Sequence, residues 1–242
     1  MNIWICTSFG GNRTNNINYA KMAWYLCKSI EKTNKNNLIK IVIGSTDNHS
    51  QKLASLIAKN TKKAQSINIE LSNNDIYTSK IEILISTLKL AEFGDGLVYM
   101  DCDAMVHSNK ENILYDTLAA NFKQKLTLIT QLRFHRKNHD TKFRSWMVGL
   151  LVSKDTSNFL QTWKKETAIV KMSRQSPFTD QLGLYRTWLK LRKNELDCGS
   201  AYDSPICHFG SIKIGSKKES HGFCGFSQGY RTIIQQFPHP PF

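Results

Sequence analysis

The sequence predicts an α/β fold, a mostly parallel central sheet flanked by helices, followed by an irregular C-terminal subregion. Three observations lead there. Apolar runs of strand length alternate with segments of helical periodicity from the N-terminus to Asp101. Parallel strands need crossover connections, so this alternation is the signature of βαβ units. The 242 residues suffice for a full core. From Asp197 onward both periodicities fade, and Gly, Ser, Pro, Cys and His dominate.

The elements follow in order. "NIWICTS" (2–8) is a short apolar run ending in small polar residues, as a buried first strand should be. "YAKMAWYLCKSIEK" (19–32) has apolar spacings of three and four, hence a helix. "LIKIVIGS" (38–45) is a second strand, "SQKLASLIAKN" (50–60) a second helix and "SINIEL" (66–71) a third strand. "SKIEILISTLKLAEFG" (79–94) is an amphipathic helix with Gly94 at the expected C-terminal cap. "GLVYMD" (96–101) is the next strand. In the second half, "KLTLITQL" (125–132) and "WMVGLLVSK" (146–154) read as strands, and 157–171 and 178–193 as helices. No internal repeat or linker-like stretch interrupts the chain, so one domain over 1–242 is expected.

The formal charge of +14, from 33 Lys and Arg against 19 Asp and Glu, would suit a nucleic-acid or anionic-membrane partner. The basic residues are scattered, however, with pairs such as Lys62-Lys63, Lys164-Lys165 and Lys217-Lys218 and no run of five. No nucleic acid is therefore expected, and the charge leaves room for peripheral membrane contact. The six cysteines, Cys6, Cys27, Cys102, Cys198, Cys207 and Cys224, form no Cys-x-x-Cys pair, and several sit in apolar runs. That pattern suggests a reducing compartment. The opening "MNIWICTSFGG" lacks a basic stretch before a long apolar one, and nothing reaches about 18 consecutive apolar residues. The expectation is a soluble, cytoplasmic protein without signal peptide or transmembrane segment.

The chemistry concentrates in "LVYMDCDAMVHS" (97–108), where Asp101 and Asp103 stand one residue apart at the end of an apolar run. Carboxylates beside a buried strand are costly unless a partner offsets their desolvation, and two raise the cost by repulsion. The pair asks for a cation. In open α/β sheets ligands bind outside the carboxyl ends of the strands. "TSFGGN" (7–12) ends the first strand in the same way and offers the Thr7 and Ser8 hydroxyls with free backbone amides. Together they suit a nucleoside diphosphate bridged by a divalent cation.

On these residues the chain resembles glycosyltransferases of the GT-A (Rossmann-like) fold, whose Asp-x-Asp motif holds a divalent metal against a sugar-nucleotide diphosphate. "VYMDCDAMV" resembles that motif with its apolar lead-in, and Cys102 falls among the nucleotide-sugar-binding positions. Three further segments appear in the order those enzymes use. "SKIEILIST" (79–87) is similar to the lysine-led helix preceding the motif in the glycogenin-like and xylosyl/galactosyl transferase families, which would put Lys80 near the donor's nucleotide or phosphates. "WMVGLLVSK" followed by "FTDQLGLY" resembles their Gly-containing strand and acidic-Gln helix start. Gly149 would let backbone approach the donor sugar, and Asp180 and Gln181 would be the catalytic pair. The Asn often found two residues before that glycine is Met147 here. "ICHFGSIKIG" (206–215) resembles the closing segment of the manganese-dependent retaining families, with His208 as third metal ligand after Asp101 and Asp103 and Lys213 at the diphosphate; the longer Lys-Pro-Trp form is absent from the sequence.

The resemblance implies Mn²⁺ or Mg²⁺, a nucleotide-sugar donor, with UDP-sugar as the family-level expectation, a glycan or glycoconjugate acceptor, and retention. It implies a nucleotide-binding half over 1–106 and a donor-sugar and acceptor half over 107–242. Two other readings stand beside it. A zinc-stabilised nucleic-acid-binding module would use Cys198, Cys207, His208, His221 and Cys224, but their spacing lacks the closely paired ligands such sites need. A sugar nucleotidyltransferase would use "TSFGGNRTNN", which has the glycines and Arg13 but not the longer Gly-rich basic signature.

Overall fold

The computed structural model describes residues 1–11, 16–71, 78–106, 111–122, 129–134, 141–173, 179–192 and 235–242. Its first half alternates as expected: β1 (Ile3–Phe9), α1 (Asn16–Thr33), β2 (Ile39–Ser45), α2 (Asn48–Lys59), β3 (Ala64–Asn68), α3 (Ser79–Leu88) and β4 (Gly96–Met100). Then come α4 (Ile113–Asn121), β5 (Ile129–Phe134), β6 (Thr141–Leu151), α5 (Thr156–Ser173) and α6 (Thr179–Arg192). The strands form one sheet in the order β3-β2-β1-β4-β6-β5. β1 pairs in parallel with β2 and β4, and β2 with β3. β6 runs antiparallel to both β4 and β5.

Alternation along the strands builds a core on each face of the sheet. Ile3, Ile5, Ile41, Ile43, Val98 and Met100 pack with Met22, Ala23, Leu26 and Ile30 of α1, Leu53 and Ile57 of α2, and Leu114 and Leu118 of α4. Cys6, Val42, Leu97, Tyr99, Val148 and Leu150 point the other way, against Ile81 and Leu84 of α3, Phe159, Leu160 and Trp163 of α5 and Leu184 of α6. Each fully buried residue of the size of Ile81 or Phe159 contributes about 1.5–3 kcal/mol. Gly183 is where α6 meets α5: a Cβ there would lie 2.3 Å from Thr167 Oγ1 and 2.8 Å from its backbone N.

Two expectations are corrected. α3 stops at Leu88, six residues before Gly94. Gly94 instead takes φ +89 in the turn that leads into β4, and its N–H donates to Val152 O at 2.9 Å. Ala91 and Leu90 extend the helical spacing through that turn, so periodicity could not show the break. Second, α4 occupies a stretch whose pattern predicted no element. The tail from Asp197 lies outside the described residues except for 235–242. There Trp24 Nε1 of α1 donates to Pro238 O at 2.7 Å, and Phe237 and Phe242 rest on the core of the first face.

Candidate active site

β1 has β2 and β3 on one side and β4 on the other, so the strand order reverses between β1 and β4. The crevice beyond the carboxyl ends of these two strands is where such sheets bind ligands. β4 delivers the acidic pair to it. The Ala104 N–H donates to the Asp101 carbonyl at 2.9 Å, closing a turn with Cys102 and Asp103 at its centre. Cys102 is buried in the core, while Asp101 and Asp103 stay half-buried at the rim. Burial and the neighbouring Asp101 charge push the Asp103 carboxyl well above the usual carboxylate range. The repulsion expected from the sequence is thus present in the folded chain.

Lys80 faces this pair from the first turn of α3. Its ammonium lies 3.5 Å from Asp101 Oδ1 and 2.8 Å from Asp180 Oδ2, with its side chain 12% exposed. It also donates to Ser145 Oγ at 3.0 Å and Ser145 O at 3.3 Å, and sits 5.3 Å from the centre of the Tyr99 ring. Burial alone would pull the Lys80 ammonium down, but the Asp101 and Asp180 charges outweigh it and hold it above its ordinary value. Buried ions are tolerable only when paired and hydrogen-bonded, as here. The same setting pushes the Tyr99 phenol up, chiefly through burial and then through the Asp101 charge.

Asp180 comes from the first turn of α6 and is 3% exposed. Its carbonyl accepts from Trp163 Nε1 at 2.8 Å, and its Oδ2 accepts from the Ser145 hydroxyl as well as from Lys80. An acidic residue in a first helical turn also complements the helix dipole, but its contacts here run to the crevice residues. Gln181 follows it, half-buried.

The β1 end contributes small polar groups. Thr7 and Ser8 are buried, and Ser8 Oγ lies 3.2 Å from Ser79 Oγ at the start of α3. Thr7 Oγ1 has no hydrogen-bond partner among the described residues. The chain then turns through Gly10 (φ +120) and Gly11 (φ +95). A Cβ on Gly10 would lie 2.5 Å from Ser50 Oγ and from Thr46 Oγ1, so this approach of loop to helix needs glycine. Asp47 caps α2 by accepting from Ser50 N at 2.8 Å, and also accepts from Gly11 N at 2.8 Å. Burial opposes the Asp47 charge, yet these backbone donors hold its carboxyl below the usual range.

The structure therefore brings together Ser8, Lys80, Asp101, Asp103 and Asp180, while Thr7 lies beside Ser8 at the end of β1. It does not bring Gly149 to the rim. Gly149 pairs with Val98 in mid-sheet, because β6 runs antiparallel and only its earlier residues reach the crevice end. His208 and Lys213, and the alternative ligands Cys198, Cys207, His221 and Cys224, lie outside the described residues. Among the described residues no group of three or more His, Cys, Asp or Glu comes together as a metal site. Asp101 and Asp103 are the pair that could hold a divalent cation: their oxygens are hard donors, and such a charge would relieve the repulsion that raises Asp103. The residue that sequence inspection misses is Ser145, since nothing in "FRSWMVG" marks a lone serine as part of a site.

No family model and no curated protein matches the sequence. Solved structures do match the fold. The glycosyltransferase GlyE of Streptococcus pneumoniae TIGR4 superimposes with a TM-score of 0.50 at 15% identity, over 77% of this chain and 43% of GlyE. An active-site mutant of LgtC superimposes with a TM-score of 0.51 at 14% identity, over 96% of this chain and 94% of LgtC. The chain thus spans less than half the length of GlyE and nearly all of LgtC. The mixed sheet flanked by helices is a fold these glycosyltransferases share. No helix among the described residues is long and apolar enough to cross a membrane.

Proposed function

We propose that this chain is a glycosyltransferase that moves a sugar from a nucleotide-sugar, with UDP-sugar the expected donor, to a hydroxyl of a glycan or glycoconjugate, with retention at the sugar carbon. The observation that carries the reading is the meeting of Asp101, Asp103, Lys80 and Asp180 at the crevice where the strand order reverses. The fold shared with GlyE and LgtC supports it.

In this mechanism Asp101 and Asp103 would hold Mn²⁺ or Mg²⁺, with His208 as the proposed third ligand, and the ion would supply Lewis-acid neutralisation of the nucleoside diphosphate leaving group. Lys213 adds charge to the same leaving group. Thr7, Ser8 and the loop amide at Gly10 receive the nucleoside end. Asp180, fixed by Lys80, and Gln181 beside it face the donor sugar and orient it for transfer. Lys80 pairs with both Asp101 and Asp180 and holds the two carboxylates in place.

A screen of donor hydrolysis across UDP-, GDP- and ADP-sugars with Mn²⁺ tests the reading, with a nucleoside triphosphate plus sugar phosphate as the competing arm. Turnover of a nucleotide-sugar is the expected result. Turnover only in the triphosphate arm, or of no donor at all, would overturn it.

A further inference from the structure

We propose that Ser145 is a positioning residue that fixes the Asp180 carboxylate for its work on the donor. The inference rests on the glycosyl-transfer reading of the site and adds to it a group that no sequence motif points to.

Ser145 owes its place to an irregularity in β6. Between β5 and β6 the register runs Thr130 to Val148 and then Gln131 to Arg144, so residues 145–147 of β6 have no partners on β5. On the other side the ladder with β4 ends at the Met100–Met147 pair, two residues short of Ser145. Such bulges re-aim side chains and concentrate beside active sites. Here the bulge carries Ser145, which is fully buried, to the carboxyl end of β4.

Once there, Ser145 puts both its carbonyl and its hydroxyl to use. Its carbonyl and its hydroxyl oxygen both accept from Lys80 Nζ, at 3.3 and 3.0 Å. Its hydroxyl proton goes to Asp180 Oδ2. That oxygen also receives the Lys80 ammonium. Both contacts on one oxygen set the carboxylate's rotation. The ion pair alone could form with either oxygen and from many Lys80 rotamers. The serine makes the arrangement single-valued. It also explains why this Asp can be almost fully buried and still be oriented: its charge is met by Lys80 and its rotation by Ser145. Lys80 keeps the Ser145 carbonyl as acceptor in an alanine variant, so Ser145→Ala removes orientation while sparing the cation.

The test is a double-mutant cycle read by single-turnover donor hydrolysis. Ser145→Ala should lower kcat about ten- to a hundredfold, the range for a lost hydrogen bond to a charged group. The donor KM and the affinity for Mn²⁺ with UDP should stay within about twofold, because the lost contact serves the reacting sugar. In an Asp180→Asn background Ser145→Ala should add less than about twofold, since residues acting as a unit are not additive. Ser145→Thr, which keeps the hydroxyl, should recover most of the rate. A full additive loss in the Asp180→Asn background, or wild-type kcat in Ser145→Ala, would overturn the proposal. If the unmodified protein turns over no donor, it is the functional reading that fails, and a crystal structure of Ser145→Ala then decides the positioning role. An Asp180 carboxylate rotated off Lys80 supports it; one left in place overturns it.

Discussion

Two aspartates lie just outside β4, one at each end, and they are solved in opposite ways. At the entrance, Asp95 is 5% exposed and meets neutral donors: Asn2 N at 2.8 Å, Trp4 Nε1 at 3.0 Å and Glu92 N at 3.2 Å. At the exit, Asp101 meets an ammonium at 3.5 Å and a second carboxylate two residues on. The first site is complete as it stands, since its donors come from Asn2 just before β1, from Trp4 of β1 and from the turn that starts β4. The second retains a repulsion that the protein's own groups leave in place. A buried carboxylate wrapped in backbone and indole N–H groups is a fastener. One held against a like charge keeps a cost that a cation would relieve. Five residues of strand separate the two outcomes.

The sharpest way to break this contrast is to remove the cation at the exit. Lys80→Met leaves Asp101 and Asp180 without their shared partner. Breaking a buried ion pair from one side costs about 3–5 kcal/mol, so the melting temperature should fall by roughly 10 °C for a chain of this size. Turnover should vanish with it. Differential scanning calorimetry checks the first part, and a melt within about 2 °C of wild type would show that the exit carboxylates do not depend on Lys80.

Next in size is the acidic pair itself. Asp103→Ala should cut Mn²⁺-dependent turnover by about a hundredfold or more, near 2.7 kcal/mol in the barrier, without unfolding the chain. Donor binding by calorimetry should lose its metal dependence. Near-normal turnover would mean that the pair is not the metal site. The counterpart at the entrance is Asp95→Ala, which strands the Trp4 and backbone donors. It should cost about 2 kcal/mol of stability and leave kcat where it was. A variant that melts normally but loses activity would reverse the roles assigned to the two ends.

Much of this was legible in the sequence because it is local. The alternation of β1 to β4 with α1 to α3 follows from side-chain period, and Asp101 and Asp103 announce themselves by standing after an apolar strand. Asp180-Gln181 was legible as a helix start, and it does open α6. What was hidden is set by pairing between distant segments. β6 slots in antiparallel beside β4, which moves Gly149 into mid-sheet and brings Ser145 to the rim. No residue type encodes that register. Lys80 was legible as a candidate for the donor's side of the site, but its pairing was not: the fold seats it between Asp101 and Asp180. That placement needs α3, β4 and α6 to meet, which only tertiary packing decides.

The smallest expected effect is the most specific to the repulsion at the exit. The Asp103 carboxyl is raised in the folded chain by burial and by Asp101, whereas in the unfolded chain it returns to about 3.9. Between those two values the folded state holds a proton that the unfolded state has released. Stability of the metal-free protein should therefore fall as pH rises through that window and recover as pH drops back. Asp103→Asn removes the titrating charge but keeps the shape. At neutral pH the variant should be more stable than the parent by up to about 1 kcal/mol, the scale of a partly solvated charge pair, and the difference should shrink on acidification to about pH 4. Mn²⁺ should reverse the order, stabilising the parent by mass action and the variant much less. Thermal melts of both proteins from about pH 4 to 8, with and without Mn²⁺, supply the comparison. Parallel curves across that range would show that Asp101 and Asp103 do not repel. A variant stabilised by Mn²⁺ as strongly as the parent would show that the cation goes elsewhere.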